Sequence, residues 1–306
     1  MTIPNGYNTV PSFRYFEDIA AGVGSIGTTY YVDYNAGADT NDGLSWETPF
    51  KKLSVALAAS HANIAAGSTG WASRNRIFFK ADQVATAEGE DLTKLAQKTD
   101  VIGVGSTDMR SMPQLMGNHV IGNTVSYMGC RFINVSFKGP VLVGGDIFTI
   151  TGQHGISFLG CEFDGSSTTA ATAAIIAIAC SRLTVKGCVF RGAYSDSVIE
   201  VGAGQADDLV IDGNFIQGAN VGIEVLNTAE FVAYKYGLIT NNHIYAALQC
   251  ILDSEGKCYV IGNRGASAAN SGATTCTATA GLTSDNQFTS ANGVLAYPAT
   301  NFGAQS

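Results

Sequence analysis

The chain has 306 residues, a net charge of −8 and a pI near 4.9, and only 14% of its residues are charged, against roughly 25% in an average soluble domain. It holds no run of Lys and Arg, which argues against nucleic acid and anionic membrane as partners. No stretch reaches the ~18 uninterrupted apolar residues of a membrane span, and the first residues, "MTIPNGYNTVPSFRYF", lack the basic start and apolar core of a signal peptide, so synthesis in a cytoplasm is expected.

Residues 1–29 read as an extended arm. Within them "GVGSIG" (Gly22–Gly27) matches G-x-G-x-x-G, but a dinucleotide site needs a strand before it and a helix after it. Here a strand-like "TTYYV" follows and no strand precedes. The next stretch, Tyr30–Leu57, carries Asp33, Asn35, Asp39, Asn41 and Asp42 with glycines at Gly37 and Gly43. An EF-hand reading fails: setting Gly43 at the sixth place puts Ala38 first, Thr40 third and Pro49 twelfth. Turn formation explains the loop without metal. No cofactor is expected; if calcium binds at all, Asp33, Asp39 and Asp42 are the weak candidates. A helix follows at about 48–60, with Thr48 as N-cap, Pro49 as first helical residue, and Phe50, Leu53, Ala56 and Leu57 on one face. Between 58 and 120 the chain reads as "RIFFKADQV" (strand), "EDLTKLAQ" (short helix) and "DVIGVG" (strand).

From there the chain repeats itself. "SYMGCRF" (Ser126–Phe132), "SFLGCEF" (Ser157–Phe163), "TVKGCVF" (Thr184–Phe190), "VIDGNFI" (Val210–Ile216), "LITNNHI" (Leu238–Ile244) and "YVIGNRG" (Tyr259–Gly265) share a pattern. Each has a β-prone lead, then Gly or Asn, then Cys or Asn. The key position falls at Cys130, Cys161, Cys188, Asn214, Asn242 and Asn263, at gaps of 31, 27, 26, 28 and 21 residues. A second set of strands interleaves: "IFTI" at Ile147, "IIAI" at Ile175, "VIEV" at Val198, "GIEV" at Gly222 and "CILD" at Cys250. The pattern predicts an all-β parallel solenoid, in which coils about 4.8 Å apart bury together what one coil cannot bury alone. The Gly/Asn corner predicts left-handed backbone, and Asn in successive coils predicts a ladder of stacked amides. The seven cysteines have no zinc-ribbon or CxxC spacing and are expected as free, buried thiols. After Gly265, residues 266–306 are rich in Ala, Ser, Thr and Gly and read as an arm or a final coil.

Glycoside hydrolysis needs two carboxylates about 5–9.5 Å apart, which neighbouring coils of such a stack could supply. "VIEV" and "GIEV" align Glu200 with Glu224, and alternation turns both outward. Asp253 lies one coil further on, one place off register. These three are the catalytic or cation-binding candidates; the competing reading is an acidic solvent stripe. Register also pairs Arg131 with Glu162, Lys186 with Asp212 and Asp164 with Arg191, as ordinary ties between coils. Asp207 and Asp208 read as the start of a turn. His61, His119, His154 and His243 are scattered, with no HExxH or HxH spacing, and there is no G-x-S-x-G elbow.

The opening stretch resembles the start of right-handed parallel β-helix proteins of the pectate-lyase-like superfamily. The matching residues are Tyr31, Val32 and Asp33; Gly37, Asp39, Asp42 and Gly43; then Trp46, Pro49, Phe50, Lys51, Leu53, Ala56 and Leu57. The resemblance implies a right-handed parallel β-helix over 30–265 with a short N-terminal capping helix. It is nearly silent on function, because enzymes and non-enzymes share this fold. Two functions are expected from different classes. The first is a structural protein of a bacteriophage particle, a capsid decoration, fibre or tail component. It would be made in the host cytoplasm, located in the virion and trimeric as implied by the resemblance. Its partners would be other capsid or tail proteins and a cell-surface polysaccharide. The second is a tailspike-like glycosidase or lyase, carried by Glu200 and Glu224.

Overall fold

The computed structural model describes residues 27–66, 74–80, 86–87, 98–105, 112–121, 129–139, 145–165, 171–226, 229–230, 237–254, 258–267, 283–284, 286–290 and 295–296. The "EDLTKLAQ" helix, and "GVGSIG" apart from Gly27, lie outside them. The described residues form a right-handed parallel β-helix. Its first face stacks Thr29–Asp33, Asn75–Lys80, Thr99–Gly103, Arg131–Ile133, Ser157–Leu159, Thr184–Lys186, Val210–Asp212, Gly237–Thr240, Cys258–Ile261 and Thr283–Ser284, in chain order. The second face runs through Thr86–Ala87, Gln114–Met116, Ser136–Lys138, Glu162–Asp164 and Val189–Arg191. The third runs through His119–Ile121, Phe148–Thr151, Ile175–Ile178 and Ser197–Gly202. In the next two coils the second and third faces merge into single strands, Phe215–Val225 and His243–Asp253, which pair with irregular register near Ala219. Arg264–Ser267 and Gln287–Ser290 continue the second face. The described pairings are parallel except at Leu295–Ala296, which runs antiparallel against Gln287–Ser290. No helix among the described residues is long and apolar enough to cross a membrane.

Strands of three or four residues suffice because the corners between them are sharp. The corner from first to second face places Asn134, Gly160, Gly187, Gly213, Asn241 and Gly262 at φ between 55° and 69°. A Cβ at Gly160, Gly187 or Gly213 would meet nothing within 4 Å, so glycine is used there for its backbone freedom and not for space. A second corner, from third to first face, places Lys98, Gly129, Gly155, Arg182 and Asp208 at positive φ as well.

These two corners correct the repeat alignment. Arg131, Phe132 and Ile133 pair with Ser157, Phe158 and Leu159, so the partner of "SFLGCEF" is "RFINVSF" (Arg131–Phe137). Gly129 and Cys130 belong to the second corner. Cys130 shares a column with Ile156, Leu183 and Leu209, whose carbonyls each accept from the start of the next first-face strand. Both corners read locally as a left-handed residue, a small apolar residue and then a strand, so "GCRF" and "GCEF" look alike while feeding different faces.

The core is a column of rings and aliphatic chains. Phe137, Phe163 and Phe190 stack at 5.2 Å and 4.7 Å between centroids, Phe132 on Phe158 at 5.4 Å, and Phe148 fills the space between the columns. Each buried ring contributes roughly 2–3 kcal/mol by area alone. Toward the C-terminus Ile216 and Ile244 replace the rings. Beside the core the amide ladder forms as expected. Asn214 Nδ2 donates to Asn242 Oδ1 at 2.9 Å, Asn242 Nδ2 to Asn263 Oδ1 at 2.9 Å, and Asn263 Nδ2 to Asn286 Oδ1 at 3.0 Å. Each Oδ1 also takes the backbone N–H of the preceding rung. The described cysteines, Cys130, Cys161, Cys180, Cys188, Cys250 and Cys258, are free and buried.

The helix spans Leu53–Ala66, later than 48–60. Pro49 and Phe50 precede it, and Phe50 instead bridges to Val32. Asp39 Oδ1 accepts from Lys52 N–H at 3.0 Å, which supplies the N-terminal cap expected of Thr48. Thr48 Oγ1 donates instead to Asp42 Oδ1 at 2.6 Å. Leu53, Ala56 and Leu57 are fully buried in the core cluster with Phe50, and the helix packs against the first two strands of the first face.

Candidate functional site

The third face carries the carboxylates. Alternation along Ser197–Gly202 buries Ile199 and Val201 and leaves Glu200 facing out. Its register partner in the next coil is Glu224, one parallel-strand spacing away, about 4.8 Å. Ser197 Oγ donates toward Glu200 Oε2 at 3.5 Å. Burial pushes the Glu200 carboxyl above its ordinary value, and the negative charges of Glu224, Asp196 and Asp146 push it the same way. Glu224 is raised too, by burial and then by Asp196. Asp146 itself is raised by burial. Asp146 and Asp196 thus join the acidic stripe. The sequence signal for them was their place just ahead of the third-face strands Phe148–Thr151 and Ser197–Gly202.

Asp253 does not join it. Its register partner is Val225, which points inward, so Asp253 is fully buried and its Oδ2 accepts from Cys258 N–H at 3.0 Å. The place off register decides this, since one residue along a strand reverses the face. Leu252 is the residue across from Glu224.

The loop carboxylates near the N-terminus serve separate turns. Asp33 Oδ1 accepts from Asn35 and Ala36 N–H, and its Oδ2 pairs with Lys80 Nζ at 3.0 Å. Burial works against its charge, but Lys80 and the two amides outweigh it and hold the carboxyl below its ordinary value. Asp39 caps the helix, and Asp42 accepts from Thr48 and Leu44. Among the described residues no group of three or more His, Cys, Asp or Glu side chains is arranged to hold a metal ion. His119 is buried against Phe148 and Phe137, and His243 faces out from the second face.

Of the charge pairs, Lys186 and Asp212 are in register and bonded at 3.1 Å. Arg131 pairs instead with Asp100, through Nε at 2.7 Å and Nη2 at 2.6 Å, as the corrected register requires. Arg74 Nη1 reaches the same buried carboxylate at 2.6 Å. Arg191 is in register with Asp164 but makes its ion pair with Glu162, a buried carboxylate that Ser136 Oγ also approaches at 2.8 Å.

A second polar cluster escaped sequence reading. His154, Ser181 and Asp207 take equivalent places in three successive coils, immediately ahead of Gly155, Arg182 and Asp208 in the second left-handed corner. Its only sequence signal is a spacing close to one coil, as in the 27 residues between His154 and Ser181. No family model matches the chain, and no curated protein matches it.

Proposed function

We propose that the chain is a structural component of a bacteriophage particle, a capsid decoration, fibre or tail protein that assembles as a homotrimer and contacts other virion proteins. The observation that carries this reading is where the polar side chains go. The Asn ladder, Asp100 between Arg74 and Arg131, Lys186 with Asp212, and Glu162 with Arg191 all tie one coil to the next. An assembly surface is also at hand. Phe215 and Tyr245 meet on the outside of the second face at 5.8 Å, 37% and 47% exposed, with Leu248 further along the strand at 57%. Sedimentation of the purified chain tests the trimer: Phe215→Ser with Tyr245→Ser should convert trimer to monomer with an unchanged circular dichroism spectrum. Mass spectrometry of purified particles tests the location, and absence of the chain from them would end this reading.

The register of Glu200 with Glu224 on an open face favours one second reading, a polysaccharide glycosidase or lyase. Incubation with bacterial and algal polysaccharides, followed by assays for reducing ends and unsaturated uronate, tests it. Activity lost in both Glu200→Gln and Glu224→Gln would place catalysis on this stripe.

A further inference from the structure

The outer side of the second face changes character along the stack. In the earlier coils its outward residues Ser136 and Glu162 are buried. Two coils beyond Glu162 the same column continues as Phe215, His243 and Arg264, all exposed. Tyr245 stands beside Phe215, and Leu248 extends the patch along its strand. Exposed rings next to an arginine are the composition that marks the centre of a protein–protein interface. Among the described residues Arg264 makes no ion pair.

The third face carries the complement. Strand Phe215–Val225 runs from one face to the other, so Glu224 lies on the same strand as Phe215 and faces out between buried Ile223 and Val225. Leu252, half-buried, is its neighbour in the next coil. Glu224 also makes no ion pair among the described residues, and burial and then Asp196 make its charge costly. A cation brought from outside offsets that cost. One chain thus presents rings with a guanidinium on one face, and an aliphatic side chain with a carboxylate on the next. Two different, complementary patches are what a heterologous contact requires, and repeated by rotation such a contact closes into a ring. A chain with a net charge of −8 repels copies of itself unless opposite charges are set face to face. Arg264 stands two coils beyond Glu224, about 10 Å along the axis, which two extended side chains span when the stacks lie parallel.

We propose that the second face of one copy docks on the third face of the next, with Arg264 paired to Glu224 and the rings of Phe215 and Tyr245 set against Leu252. The proposal rests on the trimer reading above and names the surface that the neighbouring copy presents. Sedimentation of the full chain tests it with Glu224→Arg, with Arg264→Glu and with the two combined. Each single reversal sets like charges face to face and should weaken the trimer at least about tenfold, and the combined reversal should restore most of that loss. All three variants should keep the wild-type circular dichroism spectrum. A second measurement needs no reversal of charge. In Arg264→Lys, a zero-length carbodiimide should join the new amine to the Glu224 carboxylate of the next copy. With co-assembled isotopically light and heavy chains, mass spectrometry should find cross-linked peptides that join one isotope to the other. Trimers that survive both single reversals, a combined variant no better than the singles, or no peptide joining position 264 to Glu224 across isotopes would each overturn this contact and leave the trimer standing. A wild-type chain that sediments as a monomer would instead overturn the trimer reading, and this contact with it.

Discussion

Glu200 keeps its proton more tightly in the folded chain than in the unfolded one, because burial and the charges of Glu224, Asp196 and Asp146 all oppose its ionisation. The sign of the pH effect follows. Below the ordinary carboxyl value of 4.5 the group is protonated in both states and costs nothing. As pH rises above that value the unfolded chain releases the proton first, so folding stability falls until the folded group ionises too. Glu200→Gln should therefore raise the melting temperature at pH 7 and leave it unchanged near pH 4, as read by scanning calorimetry at the two pH values. Asp33 has the opposite sign. Its carboxyl is held low by Lys80 and two amides, so its contribution is complete above the ordinary aspartate value of 3.8 and is lost as pH falls through its depressed folded value. The outward direction of Glu200 and Glu224 was legible from strand alternation, and the same rule, applied to the one-place offset of Asp253, accounts for its burial. What alternation did not reveal was the partner: Arg131 is bonded to Asp100 in the coil before it, not to Glu162 in the coil after.

The Asn ladder sets the stability of neighbouring elements jointly. Asn242 Oδ1 accepts from both the N–H and the Nδ2 of Asn214, while its own Nδ2 donates to Ile211 O and Asn263 Oδ1. Asn242→Ala would strand buried donors and acceptors on both sides. It should destabilise the chain by on the order of 3 kcal/mol in urea unfolding, far more than a surface substitution. A loss under about 1 kcal/mol would mean the ladder is not a structural tie. This element could be read in advance because its signature is local: a left-handed corner residue followed by Asn, once per coil. Two other elements were misread for the converse reason. Cys130 carries the signature of one corner while sitting at the other, and only strand pairing separates them. The helix takes its cap from Asp39, 13 residues before Lys52, so a search for a cap next to the first apolar position stops at Thr48. The polar corner around Ser181 was illegible for the same cause, since its members meet only after the coils have stacked.

Across the whole molecule, each coil contacts chiefly the coil before and the coil after it, and the free energy of such a stack is a sum of nearest-neighbour terms. The solenoid class was legible because every coil repeats it, and the Glu200–Glu224 register came with it; the polar corner around Ser181 was not, because it departs from the repeat. The buried cysteines turn that architecture into a set of built-in clocks. Thiol reagents attack the thiolate, and burial pushes Cys180 up to about 11 and Cys250 up to about 12. Burial also shuts each of the described sulfurs away from a reagent until its own coil opens. Cys161 and Cys188 lie mid-stack, while Cys258 lies in one of the last coils. Fraying from the end would label Cys258 well before Cys161, and the ratio of the two rates, read by mass spectrometry, would give the free energy of opening the intervening turns. A single common rate would instead describe a rod that lets go all at once.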